Sequence, residues 1–215
     1  MIKIYHILLV FSIVFLVGFT GKPNIKDGNV EKINSVNFRN LYKINDSVYR
    51  SEQPNKNGMC ELESLGIKTI LNLRNCKDDI NEIKDTHLIL KHIPINTWRF
   101  SYDDIVNALA VLGKSRKPIL VHCLHGSDRT GAIVAAYRMT FENWSKEDAI
   151  AEFKEEKFGY HEKWFPNILD VLQSLDIEAL KRAGHEIIGL HVTGQLKKDG
   201  LYHGFPKYKD LKKAA

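Results

Sequence analysis

Short apolar runs alternate with amphipathic stretches through the middle of this chain. The runs at 41–44, 48–51, 67–73, 88–93 and 118–122 have the length and the Ile, Leu and Val content of buried strands. The segments at 56–65, 78–85, 101–114, 129–142, 145–158 and 163–183 read as helices. Ser101 with Asp104, and Ser145 with Asp148, are spaced as capping boxes that open two of them. Ala149, Ile150 and Phe153 share one helical face, as do Trp164, Ile168, Val171, Leu172 and Leu175. Strands that alternate with helices predict an α/β fold, a central mainly parallel sheet flanked by helices.

The two ends differ in character from this middle. Lys3 precedes a uniformly apolar run at 7–19, which reads as an export signal cleaved near Thr20. The alternative is an uncleaved membrane anchor, for which the run is short, since spanning takes roughly 20 apolar residues. The expected location is therefore exported, periplasmic or secreted, or membrane-anchored through residues 1–20, the segment through which membrane association is expected. Residues 21–40 are rich in Asn and Lys and are expected to form a linker to a domain at 41–183. The stretch 184–215 is a basic C-terminal extension carrying Lys197, Lys198, Lys207, Lys209, Lys212 and Lys213, most simply a solvated terminus.

Composition adds little beyond these bounds. A chain of 215 residues, 44% hydrophobic and 27% charged, is globular and suits one core. The net charge of +5 has no nucleic-acid motif behind it, so no nucleic-acid partner is expected. Neither the three cysteines nor the nine histidines show paired ligand spacing, and no metal or cofactor is expected. An exported chain is able to pair Cys60 with Cys76, a question that spacing leaves open together with the oligomeric state.

The chemistry concentrates in one stretch, His122-Cys-Leu-His-Gly-Ser-Asp-Arg-Thr-Gly131. It joins the strand ending near 122 to the helix starting near 129. A helix start presents unpaired N–H groups and partial positive charge, which favour a bound phosphate and a thiolate at Cys123. The planar fork of Arg129 matches two phosphate oxygens and strengthens its hold as charge develops in the transition state. Gly126 lets the backbone curl around the anion without a Cβ in the way. Thr130 is expected to donate its hydroxyl to the sulfur, and His122 to orient the loop from the strand side. Leu124, His125, Gly126, Ser127 and Arg129 then line the substrate.

This motif resembles the signature His-Cys-x-x-Gly-x-x-Arg-Thr-Gly of cysteine-dependent protein tyrosine and dual-specificity phosphatases. The likeness extends upstream through Leu41-Tyr-Lys-Ile44, Val48-Tyr-Arg-Ser-Glu-Gln-Pro54 and Ile67-Lys-Thr-Ile-Leu-Asn-Leu-Arg74, which are similar to the opening strands of small bacterial and fungal-type dual-specificity phosphatases. The resemblance implies a protein tyrosine phosphatase-like fold and metal-free, two-step hydrolysis of phosphate monoesters through a phosphocysteine. Family members usually place an acidic general acid about thirty residues before the cysteine. No aspartate stands beside Trp98 here, and Asp103 and Asp104 come late, where Asp104 fits a helix cap. Asp128 is the favoured general acid, because myotubularin-type lipid phosphatases and a group of secreted bacterial tyrosine phosphatases similarly carry Asp-Arg-Thr at this place. The competing reading is that Asp128 merely caps the following helix or buttresses the loop. With only His125 to add positive charge, the loop is poorly equipped for polyphosphorylated ligands, which favours phosphotyrosine proteins over a phosphoinositide or inositol phosphate. Trp98, Arg99, Phe100 and Tyr102 are placed to flank such a ring, or to pack in the core. A non-catalytic phosphate-binding module is disfavoured, because Cys123, Arg129 and Thr130 are all present.

Overall fold

The computed structural model describes residues 30–182, so the expected export segment and basic extension lie outside the described residues. Six strands form one sheet: β1 Glu31–Lys32, β2 Tyr42–Lys43, β3 Val48–Ser51, β4 Thr69–Asn72, β5 Ile89–His92 and β6 Ile119–His122. Their order is β1-β2-β3-β6-β4-β5. The β3-β6, β6-β4 and β4-β5 pairs are parallel, and β1-β2 and β2-β3 are antiparallel. Among the described residues it is flanked by α1 Lys56–Ser64, α2 Ile80–Ile83, α3 Tyr102–Lys114, α4 Asp128–Phe141, α5 Lys146–Phe153 and α6 Pro166–Ser174. The mainly parallel α/β architecture is the one expected. Among the described residues, no helix is long and apolar enough to cross a membrane.

In β4 and β6 neighbouring positions are both apolar, Ile70 with Leu71 and Ile119 through Val121, because both faces of these strands are covered. Along β6, Ile119 and Val121 enter a cluster with residues of α3, α4, α5 and α6, while Leu120 enters a second cluster with Met59 and Leu62 of α1. In β4, Leu71 and Ile70 divide in the same way. Burying each such side chain contributes about 1.5–3 kcal/mol. Helix α4 is covered nearly all round, and Arg138 on it makes a buried two-point pair with Glu152 of α5, at 3.0 and 2.7 Å. Gly131 permits this approach, since a Cβ there would stand 2.7 Å from the Phe153 ring.

Three stretches depart from expectation. The second half of the expected 21–40 linker is part of the domain. Its Glu31–Lys32 strand pairs with β2, Phe38 is buried against Met59 and Leu62, and the Ser35 hydroxyl donates to Glu61 at 2.9 Å. The expected helix at 145–158 stops at Phe153, after which the chain makes a 3-10 turn, Glu156–Phe158, and leaves it through Gly159 at φ 66°. The expected helix at 163–183 is two pieces. Leu175 is extended after α6, and Asp176 accepts from the Ala179 N–H at 2.9 Å, capping a new helical segment at 177–182.

Candidate functional site

The parallel strands β3, β6 and β4 end in register, with His122 opposite both Ser51 and Asn72. Cys123 follows at once, 1% exposed, and α4 starts five residues later at Asp128. The cysteine loop thus fills the crevice beyond the carboxyl ends of the central strands, where α/β sheets bind ligands.

Segments far away in sequence hold this loop from beneath. Gly126 has φ +71°, and a Cβ there would lie 2.5 Å from both C and O of Ser51. Only glycine fits that contact and that backbone angle together. The Gly126 carbonyl accepts from the buried Arg50 guanidinium at 2.8 Å, and that guanidinium also stacks 4.1 Å from the Phe158 ring centroid. Burial lowers the Arg50 pKa to about 10, which still leaves it charged at neutral pH. The Gln53 N–H donates to the Leu124 carbonyl at 3.2 Å, and the Asn40 side-chain amide donates to the His125 carbonyl at 2.7 Å. Asn40 lies in the stretch expected as a linker, so its place in the loop scaffold was not foreseen.

His122 does orient the loop from the strand side. Its Nδ1 lies 3.2 Å from the Cys123 carbonyl and its Nε2 lies 2.7 Å from Asp79 Oδ2. Asp79 is wholly buried, and its other oxygen accepts from Arg74 Nη2 at 2.7 Å. Arg74 in turn donates to Gln53 Oε1 at 2.6 Å. This buried chain of Arg74, Asp79 and His122 escaped the sequence reading, because a lone aspartate in a polar turn looks like an ordinary helix start.

Arg129 sits in the first turn of α4, its Nη1 3.3 Å from both the Leu73 and the Ile95 carbonyl. Its Nε is buried with no hydrogen-bond partner among the described residues, and the same holds for the Thr130 hydroxyl. The expected donation from Thr130 to the sulfur is therefore not made in this structure. Leu124 is half exposed, His125 is exposed, and Ser127 is buried with its hydroxyl 3.4 Å from the His125 carbonyl.

Asp128 is 5% exposed, and its carboxylate does not cap α4. Oδ1 accepts from the His161 N–H at 2.9 Å, and His161 Nδ1 lies 3.1 and 3.0 Å from the two oxygens. His161 comes from the turn between α5 and α6, 33 residues on, and was not singled out from sequence. The break in helical pattern that Gly159 makes is the signal that marks this turn. By contrast, Asp104 makes the capping box: its Oδ2 accepts from both the N–H and the hydroxyl of Ser101, at 2.9 and 2.8 Å. Burial raises the Asp104 pKa, against the lowering effect of Ser101. Asp103 is exposed in the same first turn.

The expected aromatic flank divides. Trp98 is 65% exposed and meets Phe165 edge-on at 4.8 Å, and Arg99 is exposed beside it. Phe100 is buried in the core and Tyr102 packs against it half-buried, so these two are structural. Cys60 and Cys76 are both free and exposed. One cluster was not expected at all: ligand atoms of His125, Asp128 and His161 all lie within 4.8 Å of one another.

Residues 48–168 match the family model of the dual specificity phosphatase catalytic domain. The chain is 30% identical over 122 residues to the dual specificity protein phosphatase TpbA of Pseudomonas aeruginosa, a match covering 56% of each chain. It is 28% identical over 164 residues to the inositol diphosphatase DSP5 of Arabidopsis thaliana, covering 69% of this chain and 76% of that one. Among solved structures, P. aeruginosa TpbA in complex with phosphotyrosine superposes with a TM-score of 0.66 at 24% identity, covering 74% of this chain and 98% of that chain. The catalytic core of Siw14 follows at 0.55 and 24% identity, covering 73% and 94%. These likenesses establish the fold.

Proposed function

The chain belongs to the dual specificity phosphatase catalytic-domain family, and from that premise we propose that it hydrolyses phosphate monoesters, with phosphotyrosine-bearing proteins as the substrate class. The observation that carries this reading is the joint placement of Cys123 at the end of β6, Arg129 in the first turn of α4 and the Asp128 carboxylate held by His161. In the first step the Cys123 sulfur attacks phosphorus, an S–P bond forms, and the P–O bond to the leaving group breaks. Asp128 gives its proton to the leaving oxygen. In the second step water attacks the phosphocysteine and gives a proton back to Asp128, the S–P bond breaks, and the thiolate returns.

The loop geometry supports the electrostatic part of this scheme. Two carbonyls fix the Arg129 fork from behind, so its unpaired Nε is available to a phosphoryl oxygen that the start of α4 also attracts. An unpaired buried donor costs about 1–3 kcal/mol, which a bound phosphoryl group relieves. Thr130 is available in the same way to the departing thiolate. His161 holds Asp128 away from its own helix, so the carboxylate is not consumed as a cap.

The preference for phosphotyrosine rests on the loop's variable positions, which are Leu124, His125, Ser127 and Asp128 and include no lysine. The exposed Trp98 offers a face for a phenyl ring. Its structural relative in complex with phosphotyrosine agrees with that choice. The match to a plant inositol diphosphatase favours a second reading, hydrolysis of inositol phosphates. A panel of phosphotyrosine, phosphoserine and phosphothreonine peptides, phosphoinositides and soluble inositol phosphates separates the two. The highest kcat/KM is expected on phosphotyrosine, and a maximum on inositol phosphates overturns the substrate assignment. The N-terminal apolar run supports export as the setting in which those substrates are met, and N-terminal sequencing of the protein recovered outside the cytoplasm tests it.

A further inference from the structure

His125, Asp128 and His161 form a cluster that phosphate hydrolysis does not require as a cluster. We infer that these three side chains form a binding site for a divalent transition-metal ion, with zinc as the best-suited ion, and that metal bound there inhibits the enzyme.

The donor set is the one such ions select. Two imidazoles and a carboxylate match the catalytic type of zinc site, three protein ligands with a position left for water. Ligand atoms around a tetrahedral zinc at about 2.0–2.1 Å stand roughly 3.3 Å apart. The pair formed by His161 Nδ1 and Asp128 Oδ2 is already at 3.0 Å. The third ligand atom is within 4.8 Å of both, and the His125 and His161 rings are 5.7 Å apart between centroids. His125 is exposed on the loop, where its side chain has solvent around it in which to turn toward the other two ligands. Both histidines are open to solvent while Asp128 is buried beneath them, an arrangement with an entry path and a fixed floor.

The ligands come from two elements that hydrogen bonding to Asp128 already holds together. His125 and Asp128 lie three residues apart on the phosphate loop, and His161 is delivered by the turn after α5. Binding puts the metal where the contact between His161 Nδ1 and Asp128 now lies, with the imidazole proton carried on Nε2. Neighbouring Arg129 and the start of α4 oppose a cation, and the site is accordingly weaker than a closed four-ligand one.

Inhibition follows from the identity of the carboxylate and rests on the reading of Asp128 as proton donor. A carboxylate committed to a metal has no proton to give to the leaving oxygen. The binding half of the inference stands apart from turnover, and is measured without it.

The experiment uses zinc chloride titrated calorimetrically into the full-length Cys123→Ser variant, which removes the competing thiolate. One zinc per chain is expected, with affinity falling at least about tenfold when either His125→Ala or His161→Ala is added, since loss of a supporting residue alone costs that much. Cobalt, titrated in the same way, is expected to give the visible absorption of a low-symmetry site that both histidine variants lose. Thermal melts of each variant verify folding. Zinc binding that persists undiminished when both histidines are replaced, or no binding at all, overturns the site. In the wild type, zinc is expected to suppress turnover of a phosphotyrosine peptide reversibly with a chelator. If zinc occupies the site and turnover is unchanged, the inhibitory role falls, and the Asp128→Asn pH–rate profile then shows separately whether Asp128 is the proton donor.

Discussion

Gly126→Ala puts the loop scaffold to a quantitative test. The added methyl meets Ser51 C and O at 2.5 Å and Glu52 N at 2.6 Å. All three are backbone atoms of the strand end, so no rotamer change relieves the contact. Alanine at φ +71° costs about 1–2 kcal/mol for left-handed backbone. Forcing the two segments apart costs about 1–3 kcal/mol more, the usual scale of overpacking. The total of about 2–5 kcal/mol corresponds to a Tm loss of roughly 4–20 °C in a chain of this size. Gly66→Ala is the control. Its φ is +85° but nothing lies within 4 Å of the new Cβ, so only the backbone penalty of about 1–2 kcal/mol applies. The assay is a thermal melt with kcat/KM on p-nitrophenyl phosphate for both variants. Displacement of the loop is expected to lower kcat/KM of Gly126→Ala by about 100-fold or more, while Gly66→Ala keeps wild-type activity. Equal Tm losses in the two variants, with undiminished activity in Gly126→Ala, refute the claim that Ser51 and Glu52 form the loop's floor.

Other consequences follow from the buried charges and caps. Asp79→Ala leaves Arg74 and His122 without their shared carboxylate, and a stability loss of about 3–5 kcal/mol is expected in urea unfolding; a loss under about 1 kcal/mol contradicts the network. Asp104→Ala breaks the α3 capping box and costs about 1 kcal/mol in stability while leaving the acid limb of the pH–rate profile in place, whereas a lost acid limb transfers the proton-donor role from Asp128 to Asp104. Burial lowers the Lys117 pKa from 10.5 to about 8, so its ammonium opposes folding below pH 8, and that opposition fades as pH rises toward 10.5, where the unfolded chain binds more protons. Partial exposure keeps the effect below about 1 kcal/mol. Wild type is therefore expected to gain stability relative to Lys117→Met between pH 7.5 and 9.5, and equal pH slopes contradict it.

The phosphate loop was legible because its chemistry is contiguous: nucleophile, glycine, acid, arginine and threonine fall within eight residues between a strand and a helix. Strands β4 and β6 were legible for a related reason, since burial on both faces makes neighbouring residues apolar, Ile70 with Leu71 and Ile119 through Val121. The supporting shell comes from distant parts of the chain. Asn40 reaches the His125 carbonyl from 85 residues away, Arg50 reaches Gly126 from 76, and Asp79 reaches His122 from 43. No local pattern announces such contacts, and Asn40 was hidden in a polar stretch that looks like a linker. Strand β1 is two residues long and both are exposed, so neither periodicity nor burial marks it. His161 was missed for the opposite reason. Its turn was absorbed into the gap between two helices, and only the fold shows that Gly159 turns this segment back over Asp128. Which N–H the Asp128 oxygen accepts, that of His161 33 residues on, is a fact of tertiary structure that no local pattern carries.

The central claim is that Cys123 carries the phosphoryl group and Asp128 handles the proton in both steps. Rapid quenching of wild type and Asp128→Asn during turnover of p-nitrophenyl phosphate, followed by mass spectrometry of the peptide containing Cys123, tests it most directly. That substrate's leaving group departs without a proton, so Asp128→Asn is expected to form the phosphocysteine at near wild-type rate and then stall, accumulating one phosphoryl group on Cys123. Turnover with no phosphorylated Cys123 peptide in either enzyme, or an Asp128→Asn variant that clears the intermediate as fast as wild type, contradicts the account.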